Sequence, residues 1–308
     1  MGKGGRGVDS CTQRRSAGWF IGVLIVLLLL VGGTAAAADD ESGGEPLPIL
    51  RFGTTARVWG MGNAGVGAAR GVEGLYYNPA ALAHVVRPEL SISHSTLGEA
   101  TDLSFAAAAL PITDRGSLGA GVLLLSSEGI PRTIEGSQQP IGSFDYLQAV
   151  AYIGTGMEIA NGCSAGLTVK GIVGELDDSY CRGYSLEGGV RQQVSDVLAI
   201  GFLARDVIGE ISWSTGLVEE LPTQLLGGAA LSLMDGRLLI SGQTDLKFKD
   251  WGVGAEYSIG GFLQLRGGYA ADSITAGCGL GIGHVQLDYS WTGHELGGTH
   301  RISFGVLF

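Results

Sequence analysis

The chain has 308 residues, 54 of them glycine, a formal net charge of -11 and only 16% charged residues, where a soluble domain carries roughly 25% charge and about 7% glycine. The acidic balance excludes a nucleic-acid binder, which needs a basic patch, and a polybasic lipid-surface binder. The low charge says that much of the surface does not face water.

The first element is an export signal. Lys3, Arg6, Arg14 and Arg15 precede an apolar run from Trp19 to Val31, followed by the small residues Gly32 to Ala38 and the acidic Asp39, Asp40 and Glu41. That order predicts a cleaved signal peptide over residues 1–38. The run is about 13 residues, short of the roughly 20 that span a bilayer. No cysteine follows it to mark a lipoprotein.

Residues 39–87 do not alternate and form the second predicted element. They contain Gly60-Met61-Gly62-Asn63-Ala64-Gly65 and, further on, Leu75-Tyr76-Tyr77-Asn78-Pro79-Ala80-Ala81-Leu82. The first run matches the dinucleotide fingerprint G-x-G-x-x-G, but no buried strand precedes it and no βαβ unit surrounds it. Small residues and glycine favour a compact piece packed inside a narrow tube, a lumenal hatch that includes Gly60, Met61, Gly62, Asn78, Pro79 and Ala80.

From residue 88 onward the pattern has period two. Val285, Leu287, Tyr289 and Trp291 alternate with Gln286, Asp288 and Ser290; Trp251, Val253, Ala255 and Tyr257 alternate with Gly252, Gly254 and Glu256. Successive strand residues point to opposite faces, so each strand has an apolar and a polar side. No second stretch long enough for a membrane helix remains. Only helices and closed barrels satisfy every backbone amide in lipid. The prediction is an all-β, transmembrane antiparallel barrel over 88–308, with about fourteen strands, an even number as bacterial single-chain barrels have.

In chain order the strands fall near 88–97, 101–111, 116–127, 143–155, 162–174, 180–192, 196–206, 223–233, 237–247, 249–258, 261–270, 273–282, 284–292 and 299–308. Long loops are predicted from Glu128 to Gly142 and from Val207 to Pro222. The last strand places Phe304, Val306 and Phe308 on its apolar face and ends on an aromatic residue, the terminal signal that barrel-assembly machinery recognises. Outer-membrane lipid and lipopolysaccharide are then the outward partners, and the location is the bacterial outer membrane.

The polar faces carry Lys170, Glu187, Arg191, Glu256, Arg266, Asp288 and Arg301. Both signs occur, which suits pairing inside a small lumen or a polar lining. Lipid would penalise such charges by about 2–4 kcal/mol at mid-depth. Cys163, Cys181 and Cys278 lie far apart without a metal or redox spacing. His84, His94, His284, His294 and His300 are scattered, and no catalytic constellation stands out. No enzyme, metal site or cofactor is expected.

The run Ala56-Arg57 through Gly60-Met61-Gly62 to Val66, followed by Leu75-Tyr76-Tyr77-Asn78-Pro79-Ala80-Ala81-Leu82, resembles the PorV/PorQ group of outer-membrane proteins, which is related to the FadL long-chain fatty-acid channels. Ile130-Pro131-Arg132-Thr133, Leu221-Pro222-Thr223 and Leu296 to Ser303 extend the resemblance over almost the whole mature chain. It implies fourteen strands, and it likens Asn78-Pro79-Ala80 to the triplet of the FadL hatch. It also implies one of two functions: a protein-secretion component that holds a partner channel or cargo protein, or a passive channel for hydrophobic small molecules. A lumen closed by charge pairs points to the first and a wide apolar lumen to the second; the mostly polar inward residues tilt the reading to the first.

Overall fold

The computed structural model describes residues 47–98, 100–133, 139–270, 273–294 and 297–308. The signal-peptide expectation over 1–38 and the first residues of the predicted hatch lie outside them.

Among the described residues, fifteen strands form one antiparallel sheet: β1 (Glu89–Leu97), β2 (Thr101–Thr113), β3 (Gly116–Arg132), β4 (Gly142–Ala160), β5 (Cys163–Leu176), β6 (Ser179–Gln193), β7 (Leu198–Trp213), β8 (Val218–Glu220), β9 (Gln224–Leu233), β10 (Leu238–Asp245), β11 (Trp251–Ile259), β12 (Leu263–Ala270), β13 (Ser273–Ile282), β14 (Val285–His294) and β15 (Gly297–Leu307). Fourteen of them are barrel staves; β8 pairs only with the outer end of β7. The sheet closes where β1 pairs with β15, Ile92 opposite Phe304, and the two chain ends of the wall are tied by Phe308 N donating to Pro88 O at 2.9 Å.

Alternation sorts the faces. Ile153, Val169, Val253, Leu265, Ile274 and Ile302 stand exposed on the outside, while Ser93, Thr168, Glu256, Asp288 and Arg301 are buried inside. An exposed apolar belt around a closed sheet is the surface a bilayer covers. A closed sheet has no free edge to unzip. The barrel is therefore expected to resist SDS at room temperature and to shift its electrophoretic mobility on boiling; identical mobility before and after would exclude closure. Deleting Phe308, which holds the seam, is expected to abolish most of that heat-modifiable form in cells, and unchanged assembly would deny it a signalling role.

The wall is not level. Strands β3 to β7 run 14–19 residues and β9 to β15 only 8–11. A tilted strand crosses a bilayer in about 9–11 residues, so one side of the barrel projects beyond the membrane. The projection lies at the end away from Glu89 and Phe308. It corrects the expected loop from Val207 to Pro222: β7 continues to Trp213 and turns back as β8, with Ile211 opposite Glu219. Likewise β3 continues to Arg132 past a bulge between Ser127 and Ile130. Alternation is weak in these stretches, and hairpin pairing carries the hydrogen bonds onward.

Residues 47–88 thread through the barrel. The segment holds 3-10 turns at Pro48–Arg51, Gly71–Glu73 and Pro79–His84 and single helical turns at Ala56–Trp59 and Gly74–Tyr77. Helices this short are marginal alone in water; here the wall holds them. Met61, Leu75, Ala80 and Leu82 are fully buried.

Candidate functional site

The interior has three levels: a seat of glycines, two clusters of buried charge and an open vestibule. The seat begins at the inward glycines. A Cβ on Gly166 would press into the Pro79 carbonyl, on Gly189 into the Asn78 side chain, on Gly201 into Val66, and on Gly254 and Gly268 into the Met61–Gly62 backbone. Only a residue without a side chain lets two backbones lie this close. Gly62 itself has φ +65°, a conformation most residues resist.

The predicted hatch residues sit in this seat. Asn78 Nδ2 donates to Val66 O at 2.9 Å and to Val190 O at 3.2 Å, and its Oδ1 accepts from Ala80 N at 3.1 Å. Asn78 thus caps the Pro79–His84 turn and ties it to both the segment and β6. Gly62 N donates to Thr275 Oγ1 at 3.0 Å, and Thr275 Oγ1 donates to Gly60 O at 3.3 Å. The stretch Gly60–Gly65 is a turn laid across β11 to β13, not a nucleotide loop.

The first charge cluster joins segment to wall. Arg57 reaches Glu73 at 2.8 Å and Glu256 at 3.0 Å; Arg266 reaches Glu256 at 2.8 Å and Asp288 at 2.7 Å. Burial alone would lower the Arg57 pKa, but Glu73 and Glu256 outweigh it and push it above its ordinary value. Gln286 donates to Asp288 at 2.8 Å and closes the chain.

The second cluster lies across the lumen. Lys170 Nζ meets Glu187 at 2.7 Å and Asp206 at 3.0 Å, and Ser185 Oγ donates to Asp206 at 2.5 Å. Arg205 stands 3.8 Å from Glu187 and stacks over the Tyr76 ring, with Nη2 donating to Tyr76 O at 3.1 Å. Of the seven charges expected in the lumen, two fall in this cluster and three in the first. Arg191 lies at the chain-end mouth, 3.2 Å from His84.

Arg301 is the seventh, and it stands apart. It is 3% exposed, and no carboxylate pairs with it among the described residues. Its guanidinium stacks on Trp59 with 4.9 Å to the ring centroid, and Nη2 donates to Phe52 O at 2.9 Å; among the described residues Nη1 has no hydrogen-bond partner.

Sequence reasoning missed Arg57 and Glu73, which lie outside the alternating strands, and Arg205 and Asp206. The last two carried a signal: consecutive charges cannot both face inward in a regular strand.

Above the segment, Arg301, Trp59 and Phe52 form the floor of a cavity of about 1400 Å³ that opens at the projecting end. Its wall includes Leu225 and Leu246, and also Tyr184 and Ile208, which are half exposed on the outer face of β6 and β7. The cavity therefore reaches the outside of the barrel at β7. Beside it, next to the second charge cluster, Phe105, Leu123, Leu125, Val150, Ile172 and Ile211 form one buried apolar cluster with Leu47, Ile49 and Leu50. The interior thus holds an apolar cluster beside the predicted polar positions. Leu123-Leu124-Leu125 is apolar on both faces, so alternation could not assign its inner side.

No family model matches the chain, and no curated protein matches it in sequence. Solved structures do resemble it. It is similar to the CymD monoaromatic hydrocarbon channel, with a TM-score of 0.62 at 13% identity, covering 86% of this chain and 99% of that one. It is also similar to the Pseudomonas putida toluene transporter TodX, with a TM-score of 0.59 at 13% identity, covering 82% of this chain and 96% of that one. At this identity the likeness establishes the fold, that of bacterial outer-membrane channels; it lends the PorV/PorQ assignment and the secretion reading no support.

Proposed function

We propose that the protein is a FadL-type passive channel for hydrophobic small molecules in the bacterial outer membrane. The observation that carries this reading is the vestibule: an open cavity over an aromatic floor that continues to the outer face of the wall beside Tyr184 and Ile208. The neighbouring hydrocarbon channels support it by their shared fold, and the buried apolar cluster around Phe105, Leu123 and Val150 supports it by its chemistry.

In this reading an apolar molecule enters from outside and desolvates against Phe52, Trp59 and Leu225. It then leaves sideways past Ile208 into the membrane or onward as the N-terminal segment moves. Burial of apolar area drives entry at about 25 cal/mol per Å², and no reaction is needed. Arg301 gives the floor one polar donor. The charge clusters hold the segment in place and keep the lower lumen shut to ions.

Cells making the protein beneath an intact lipopolysaccharide layer are expected to take up radiolabelled toluene several times faster than cells lacking it. Replacing Trp59 with glutamate should return uptake to the background rate. Equal uptake with and without the protein would overturn the channel reading. Co-purification of a secretion channel from the same membranes, without uptake, would restore the secretion role.

A further inference from the structure

We infer that Arg301 is the recognition point for an anion, and that the preferred ligand of the vestibule is a compact aryl carboxylate rather than a neutral hydrocarbon. The inference deepens the channel reading by naming its substrate class. It rests on that reading for transport, and on the strand register for the binding site.

Arg301 is 3% exposed on the inner face of β15. A charge taken out of water is costly unless an opposite charge meets it. The other buried cations of the wall follow this rule: Lys170 has Glu187 at 2.7 Å, Arg205 has Glu187 at 3.8 Å and Arg266 has Asp288 at 2.7 Å. Among the described residues Arg301 has no such partner. It holds the Trp59 ring and Phe52 O, and its Nη1 bonds to nothing.

Its neighbours in register are hydroxyls. Ser95 stands opposite it on β1 and Ser290 on β14. Both are buried, Ser95 Oγ has no partner among the described residues, and Ser290 lines the cavity with Arg301. Directly opposite side chains on one face of a sheet have Cβ atoms about 4.5–5.5 Å apart. The row therefore presents a guanidinium flanked by two hydroxyl donors. A carboxylate brings two acceptor oxygens to it, in charge-assisted bonds about twice as strong as neutral ones. A hydrocarbon offers the row no acceptor.

The other charges of the cavity do not compete for this role. Lys247 and Lys249 share the β10–β11 hairpin with Asp245 and Asp250, and Arg51 bonds to Gln224. The floor selects the body of the ligand. Phe52 and Trp59 line the cavity beside Arg301, and the guanidinium stacked on Trp59 extends that ring into a flat surface. An aromatic ring with a coplanar carboxylate stacks on such a floor, whereas a saturated chain has no face to offer.

The test is isothermal titration of the full-length protein in detergent with sodium benzoate, sodium octanoate and toluene. Benzoate is expected to bind at least about tenfold tighter than toluene, the factor that one hydrogen bond to a charged group supplies. It should also bind tighter than octanoate. Arg301→Gln keeps a side-chain amide and loses the charge, so the benzoate-to-toluene affinity ratio should fall by about tenfold or more. Should that variant not fold, Ser290→Asp asks the same question. It places a carboxylate on the cross-strand partner of Arg301, and benzoate binding should disappear as the built-in anion takes the place.

Benzoate binding no tighter than toluene binding, or unaltered by these substitutions, would overturn the anion site and leave the channel reading intact. Octanoate binding as tight as benzoate binding would overturn the aryl preference. Benzoate bound through Arg301 by a protein whose cells take up neither benzoate nor toluene would sink the channel reading and leave the site standing.

Discussion

An Arg57→Met barrel is expected to lose about 3–5 kcal/mol of stability in urea unfolding, because removing one partner leaves buried opposite charges uncompensated. Arg57 is 8% exposed, and its two carboxylate partners come from different places, Glu73 from the N-terminal segment and Glu256 from β11. Methionine fills similar space but leaves Glu73 without its cation and Glu256 with Arg266 as its nearest one. Adding Glu256→Gln should recover part of the loss, since the second change removes one stranded charge. Unfolding that is unchanged in Arg57→Met would mean that this bridge does not fasten the segment to the wall.

Asn78→Leu is expected to raise ion conductance severalfold in planar bilayers. The parent should conduct little, because the segment fills the lumen from β1 round to β15. Leucine cannot donate to Val66 O or Val190 O, and each carbonyl left unpaired costs about 1–3 kcal/mol. It also removes the cap of the Pro79–His84 turn and must fit against Gly189, where no spare volume exists. The turn should then leave its seat and let water through. Conductance that stays at the parental level would show that the glycine seat holds the segment without its asparagine. The two variants read different things: Arg57 tests how tightly the segment is bound, and Asn78 tests whether its place is the barrier.

The vestibule reading ties these results to function. On that reading, a plug that stays seated beneath the open cavity keeps ions out while apolar molecules enter from above. The first charge cluster joins segment to wall; the second links β5, β6 and β7 on the wall's inner face.

The closed barrel was legible in the sequence because strand side chains alternate and lipid admits no unpaired backbone. Val285 to Trp291 and Trp251 to Tyr257 show their faces residue by residue, and the polar positions Glu256 and Asp288 could be placed inside from spacing alone. The glycine content was legible too, but not its purpose: which of the 54 glycines meets the segment depends on how strands from all round the barrel converge on it. Tertiary structure alone decided the pairing of Arg57 with Glu256, 199 residues apart, and the apolar interior beside Leu123, whose neighbours are apolar on both faces. It also decided the inward turn of Asp206. A strand's own period fixes two faces and nothing more, whereas Asp206 faces inward where Lys170 on β5 and Ser185 on β6 meet its carboxylate.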